Sequence, residues 1–202
     1  MLKLLIEWRC SLSNISHLCY YFCEGKTQNT ATIIDADGVI KLDKWSPPSH
    51  GIISLLFKTP YAKGTILYNG DNTKDYFQLE IVNETSIRLN YNIGNGVEKI
   101  ELSLGNDKKL NDREWHTVTV YHNMLQFGLK LDKEEKVKKN PVLLEKDLNM
   151  DDKLNIGTNP RDVTAGFVGC IRRLVSNYCN INTCIFHFIN FATLPGYHSL
   201  ET

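Results

Sequence analysis

Asp75–Gly96 reads DYFQLEIVNETSIRLNYNIGNG, and its pattern decides the fold. Phe77, Leu79 and Ile81 alternate with Tyr76, Gln78 and Glu80; beyond them Ile87, Leu89, Tyr91 and Ile93 alternate with Ser86, Arg88, Asn90 and Asn92. A period of two puts the apolar set on one face of a pleated strand, as a half-buried sheet requires and a helix does not. Only Asn83-Glu84-Thr85 separates the two runs, short enough for a tight hairpin. A hairpin centred on Glu84 sets Asp75 directly opposite Ile93 at its open end.

Working outward, the same kind of segment repeats. Ile52–Phe57 is a near-continuous apolar run suited to a sheet centre, and Thr65–Tyr68 follows a Lys63-Gly64 turn, so these two are expected to pair as a hairpin. Val97–Leu104, His116–Tyr121, Leu125–Leu131 and Lys153–Ile156 read as further strands, and Gly166–Val175 closes the set. Short β-branched and aromatic runs between polar turns, with almost no helical period, predict an all-β, antiparallel β-sandwich. The chain's 202 residues suit one such domain, over residues 30–177.

Both ends look foreign to it. The segments are 1–29 and 178–202, and residues 1–25 and 178–202 are rich in Cys, Leu, Phe, Tyr and His without a period of two. The first suits the remnant of a preceding cysteine-containing module, the second an atypical tail. Within the domain, KEEKVKKN from Lys133 is expected to be a solvated turn of mixed sign. The competing reading is an acidic-glycan patch formed by Lys133, Lys136, Lys138 and Lys139.

Lysine plus arginine and aspartate plus glutamate are both 23, so no overall charge draws the chain to nucleic acid or a bilayer. Cys10, Cys19 and Cys23 lie near the start, and Cys170, Cys179 and Cys184 near the end. That clustering favours disulfides that pin the termini, whereas the spacings lack the tight CxxC pairs of a zinc site. Two sequons, at Asn14 and Asn83, suit a secretory route, the second on a hairpin tip. The start, MLKLLIEWRC, is broken by Glu7 and Arg9 and makes a poor signal peptide. No run approaches about 18 uninterrupted apolar residues, so no membrane span is visible, and the chain reads as a piece of a larger, membrane-anchored or secreted protein.

Chemistry points to the hairpin's open end. There a carboxylate, Asp75, faces the Ile93 carbonyl beside Gly94, and hard oxygen donors of these two kinds suit Ca²⁺. Asp147-Leu-Asn149-Met-Asp151-Asp152 could bring more donors to the same rim, although it is no EF-hand, since Asp152 and Thr158 stand where that loop needs glycine and glutamate. The bland alternative is that Asp75 and Asn149 cap strand ends. His116 and His122 share a strand face with Val118 and Val120, which favours a structural role over zinc. No nucleophile elbow, phosphate loop or dinucleotide fingerprint is present. Glu80 and Glu101 are the one carboxylate pair to weigh for glycoside cleavage, yet each sits at an ordinary surface position of its strand.

Taken in order, GIISLLFKTPYAKGTILYNG, DYFQLEIVNETSIRLNYNIGNG, LNDREWHTVTVY, DDKLNIG and GFVGCIRRL, from Gly51 to Leu174, resemble a laminin G-like domain of the neurexin and contactin-associated protein kind. The resemblance implies a jelly-roll sandwich related to legume lectins and pentraxins. It also implies a calcium site, with Asp75 as carboxylate ligand, Ile93 as carbonyl donor, Asn149 as side-chain ligand and Asp147 as a further carbonyl donor. In that family the cysteine of GFVGCIRRL bonds one some tens of residues later, which here would be Cys179 or Cys184. The function implied is binding, not catalysis: an extracellular adhesion or synaptic-receptor module engaging cell-surface or matrix proteins or glycans. Calcium-independent glycan binding through the lysines, and a lectin-like hydrolase, are the alternatives.

Overall fold

The computed structural model describes residues 30–43, 45, 50–70, 75–94, 96–105, 107–123, 126–139, 150, 153–179 and 184–188, of which 177–179 and 184–188 are described by backbone alone. Their strands, in chain order, are β1 (Thr30–Ile33), β2 (Ile40–Leu42), β3 (His50–Lys58), β4 (Gly64–Gly70), β5 (Tyr76–Ile81), β6 (Ser86–Asn92), β7 (Val97–Ser103), β8 (His116–Asn123), β9 (Gln126–Leu131), β10 (Glu134–Lys139), β11 (Leu154–Ile156), β12 (Gly169–Cys179) and β13 (Cys184–Phe188). One sheet runs β1-β12-β3-β8-β9-β10, with β13 also beside β12; the other runs β2-β11-β4-β5-β6-β7. The two face each other across one core as an all-β sandwich.

The β5–β6 hairpin forms in the expected register. Tyr76 pairs with Asn92 and Ile81 with Ile87, while Phe77, Leu79, Leu89 and Tyr91 are buried. The expected pairing of Ile52–Phe57 with Thr65–Tyr68 does not form. β3 lies between β12 and β8 in one sheet, and β4 lies between β11 and β5 in the other. The polar link 59–63 therefore carries the chain from one layer to the next. Thr59 is buried there and donates its hydroxyl to the Val168 carbonyl at 2.6 Å, which anchors the crossing.

The lysine-rich stretch also departs from expectation. Asp132 adopts a left-handed backbone, φ 52°, and the chain turns back at once so that β10 pairs with β9 from Glu134–Leu131 to Lys139–Gln126. This strand closes the edge of its sheet and is almost wholly exposed, which is why its sequence carries no apolar alternation. Charged side chains, lysine above all, are what keep an edge strand from recruiting another.

Core packing fixes which strand ends share a pole. Tyr91 of β6 stacks on Phe127 of β9, ring centroids 4.1 Å apart, across the space between the sheets. Tyr91 is two residues from Ile93, and Phe127 pairs with His122, so the open end of the β5–β6 hairpin lies at the same pole as His50, Asn123 and Gln126. Phe57 contacts Phe167 and His116 toward the opposite pole. Each fully buried Leu or Phe of this core contributes about 1.5–3 kcal/mol relative to an exposed one.

Candidate functional site

The open end of the hairpin is built by backbone geometry. Because Tyr76 pairs with Asn92, Asp75 and Ile93 are the next residues outward on facing strands. Gly94 has φ 93°, a left-handed conformation that turns the chain away from β6, and its N–H donates to Asn92 Oδ1 at 2.9 Å. A Cβ placed on Gly94 would lie 4.0 Å from Asp75 Oδ1, so the carboxylate stands over this corner. On the other side of β5, Gly70 pairs with Tyr76, and a Cβ there would come within 2.5 Å of the Asp75 carbonyl. Glycine at position 70 thus permits the close approach that sets Asp75 at the rim.

Asp147 and Asn149 lie outside the described residues. Among the described residues nearby in sequence, Met150 is fully buried, and Leu154 pairs with Asn69, adjacent to Gly70. Trp45 reinforces the same region, donating its backbone N–H to Asn69 Oδ1 at 2.9 Å and packing its ring edge-on against Phe77. Among the described residues no group of three or more His, Cys, Asp or Glu could hold a metal ion. What the described part of the rim shows is the Asp75 carboxylate beside the Ile93–Gly94 corner.

The lysines divide into two pairs with different surroundings. Lys136 donates to the Glu101 carbonyl at 3.1 Å and Lys138 is ion-paired with Glu98, so both stitch β10 to β7 and join the two sheets along one edge. Lys139 is exposed on the opposite side of the β10 alternation, and Lys133 is exposed in the turn that precedes the strand.

Glu80 and Glu101 project from one sheet face, on either side of Arg88, to which both are paired in register. Arg88 holds Glu101 through Nε and Nη2, each at 3.0 Å, and lies 3.7 Å from Glu80 through Nη1. Glu80 also accepts from Asn90 Nδ2 at 2.7 Å and from Gln78 Nε2 at 3.3 Å. Both carboxylates are therefore committed to a polar network. That network was missed in the sequence, although Glu80, Arg88 and Glu101 fall in one row once the strand registers are known.

The two histidines have different surroundings. His116 Nδ1 lies 2.8 Å from Asp132 Oδ2 and its Nε2 lies 3.1 Å from Asp112 Oδ1, clasping the 110–115 loop to the β9–β10 turn. His122 is buried against Phe127, and among the described residues neither ring nitrogen has a hydrogen-bond partner. Burial foremost, and then His50, push its pKa down to about 4.

Cys170 is buried and disulfide-bonded. Its partner is neither Cys179 nor Cys184. Cys170 pairs with Lys58 at one end of β3 and Cys179 with His50 at the other, about 26 Å away. Cys184 pairs with Cys179, at the same far end. A disulfide needs its Cα atoms within roughly 4.4–6.8 Å, so the other half of the bond lies outside the described residues. Asn14 also lies outside them, whereas Asn83 is exposed at the hairpin tip.

Comparison with known proteins agrees with this architecture. The model of the Laminin G domain family matches residues 57–178. Neurexin-4 of Drosophila melanogaster is 31% identical over 160 residues, covering 77% of this chain and 12% of the relative. Neurexin 1 of the same fly is 38% identical over 90 residues, 44% of this chain and 5% of the relative. The chain thus spans a small part of the curated relatives it matches. Among solved structures, domains LG4-5 of the mouse laminin alpha1 chain superpose with a TM-score of 0.69 at 19% identity, covering 84% of this chain and 46% of that one, a likeness of fold. With the family's model spanning more than half its length, this chain belongs to the laminin G domain family, in a neurexin-like form.

Proposed function

We propose that this domain is an extracellular, adhesion-type binding module whose hairpin rim takes Ca²⁺ and presents it to a protein or glycan partner. The observation that carries this reading is the Asp75 carboxylate standing over the Ile93–Gly94 corner. Asp75 would supply the carboxylate and Ile93 a carbonyl, with the Asn149 side chain and the Asp147 carbonyl completing the protein's share. Four protein oxygens leave part of the six-to-eight-fold shell of Ca²⁺ to water or to a partner's oxygens, which makes partner binding calcium-dependent. Neurexin-4 and Neurexin 1 support the adhesion context as relatives. Turnover has less support, because Glu80 and Glu101 are both engaged by Arg88.

Isothermal calorimetry with CaCl₂ on the wild-type chain and on Asp75→Ala tests the rim. Heat in the wild type and its loss in the variant is the expected result. Equal heats in both, or none in either, would remove calcium from the account and leave glycan binding through Lys133 and Lys139 as the reading to pursue.

A further inference from the structure

We propose that Asn83 carries an N-linked oligosaccharide, and that this glycan covers the pole of the sandwich opposite the Asp75–Ile93 rim. Asn83, Glu84 and Thr85 form the sequon, and with Val82 they make up the connection between β5 and β6. Asn83 and Glu84 are exposed. The Thr85 N–H donates to Asn83 Oδ1 at 2.9 Å and the Thr85 hydroxyl donates to the same oxygen at 3.1 Å. Two donors converging on one atom fix the orientation of the carboxamide: its oxygen is turned inward on the turn, and the amide nitrogen Nδ2 is left as the group that meets solvent. The folded hairpin therefore accommodates a substituent on Nδ2 without breaking either bond.

The surroundings of the tip are already complete without Asn83. The Leu110 N–H donates to the Glu84 carbonyl at 2.6 Å, the Leu104 N–H to the Thr85 carbonyl at 2.9 Å, and Lys109 pairs with the Glu84 carboxylate at 2.6 Å. These contacts hold the 104–110 segment beside the tip through Glu84 and Thr85, and none involves the Asn83 side chain. The transfer itself forms a bond from Nδ2 to C1 of an oligosaccharide delivered on a lipid pyrophosphate. The C1–O bond to the carrier breaks, the carrier leaves with the electron pair, and Nδ2 gives up one proton.

Placement makes the site informative. Eight residues separate Asn83 from Asp75 along β5, about 26 Å at strand spacing. A glycan at the tip thus covers the far pole and leaves the rim clear. Occupancy of Asn83 does not depend on the calcium reading; only this division of the two poles rests on it.

The test is secretion of the chain, behind an added signal sequence, from a mammalian cell line as wild type, Asn14→Gln, Asn14→Gln/Asn83→Gln and Asn14→Gln/Thr85→Ala. Secreted Asn14→Gln is expected to lose mass on treatment with peptide N-glycosidase, with the deamidated residue mapped to position 83, and both double variants to show no loss. Secreted Asn14→Gln that is indifferent to the enzyme overturns the proposal. Calcium titration of Asn83→Gln should reproduce the wild-type isotherm. A changed isotherm would overturn the separation of poles while leaving glycosylation standing, and a flat isotherm in both proteins would count against the rim alone.

Discussion

Tyr91 and Phe127 stack across the interior with ring centroids 4.1 Å apart and 24° from parallel, and this contact joins the hairpin that carries the candidate rim to the opposite sheet. His122 lies beside the same Phe127, centroids 4.5 Å apart, on the neighbouring strand. A titratable ring thus sits within the aromatic cluster that supports the rim.

The cluster makes stability depend on pH in one direction. His122 has its pKa lowered to about 4 by burial and, secondarily, by His50, against 6.5 in a solvated chain. Above pH 6.5 both states hold the ring neutral and it contributes no slope. Between 6.5 and 4 the unfolded chain binds a proton that the folded chain refuses, so stability falls as pH falls, by about 3 kcal/mol in all. Urea unfolding across this range should therefore show a steeper acid loss in the wild type than in His122→Leu. Parallel curves would show that the ring is not held neutral.

A second expectation concerns close backbone approach. A Cβ on Gly166 would lie 1.6 Å from the Ala36 carbonyl oxygen and 2.5 Å from its carbon, main-chain atoms that cannot swing aside. Gly105, by contrast, has nothing within 4 Å. Gly166→Ala should cost about 3 kcal/mol or prevent folding, while Gly105→Ala stays within about 0.5 kcal/mol of wild type. Thermal melts of the pair provide the measurement, and similar melting temperatures would contradict this packing.

Legibility in the sequence followed the physics of each element. The β5–β6 register could be read because alternation is strict and the three-residue link leaves no room for slippage, and that alone located Asp75 opposite Ile93. The partners of β3 and β4 could not be read, since a short polar link serves equally for a hairpin and for a step between layers. β10 was hidden because an exposed edge strand has no apolar face to declare itself. The Arg88 network and the Asp112–His116–Asp132 clasp were invisible for a related reason: they join side chains from separate strands and loops, and only register and turn geometry bring them together. For Cys170 the family resemblance implied Cys179 or Cys184, but an extended strand puts Cys179 beside His50, at the other end of β3 from the Lys58 that Cys170 pairs with.

The edge seam separates two pairs of lysines of equal charge. Lys136→Ala/Lys138→Ala removes a bond to the Glu101 carbonyl and the Glu98 pairing, whereas Lys133→Ala/Lys139→Ala removes two exposed charges. The Lys138–Glu98 pair is partly solvated, so the first double variant should lose about 1 kcal/mol in chemical denaturation and the second close to nothing. Conversely, any salt-sensitive retention on a heparin column should drop more in the second. Equal stability losses would mean that the seam does not hold the sheets together.

Asp132 is a sharper test, because it combines a backbone role with an electrostatic one. Its left-handed φ of 52° shapes the β9–β10 turn, its N–H donates to the Thr117 carbonyl at 2.8 Å, and its carboxylate accepts from the Thr117 N–H at 2.8 Å while facing His116 Nδ1 at 2.8 Å. Asparagine tolerates that conformation and can keep the bond from Thr117, but it cannot offer His116 a charged acceptor. Alanine loses the acceptors and tolerates the conformation less well. Asp132→Ala should therefore cost about 2–3 kcal/mol and Asp132→Asn about 1 kcal/mol. If asparagine proves as stable as the wild type, the charge on Asp132 contributes nothing to the clasp, and the 110–115 loop must be held by Asp112 and the Leu110–Glu84 backbone bond instead.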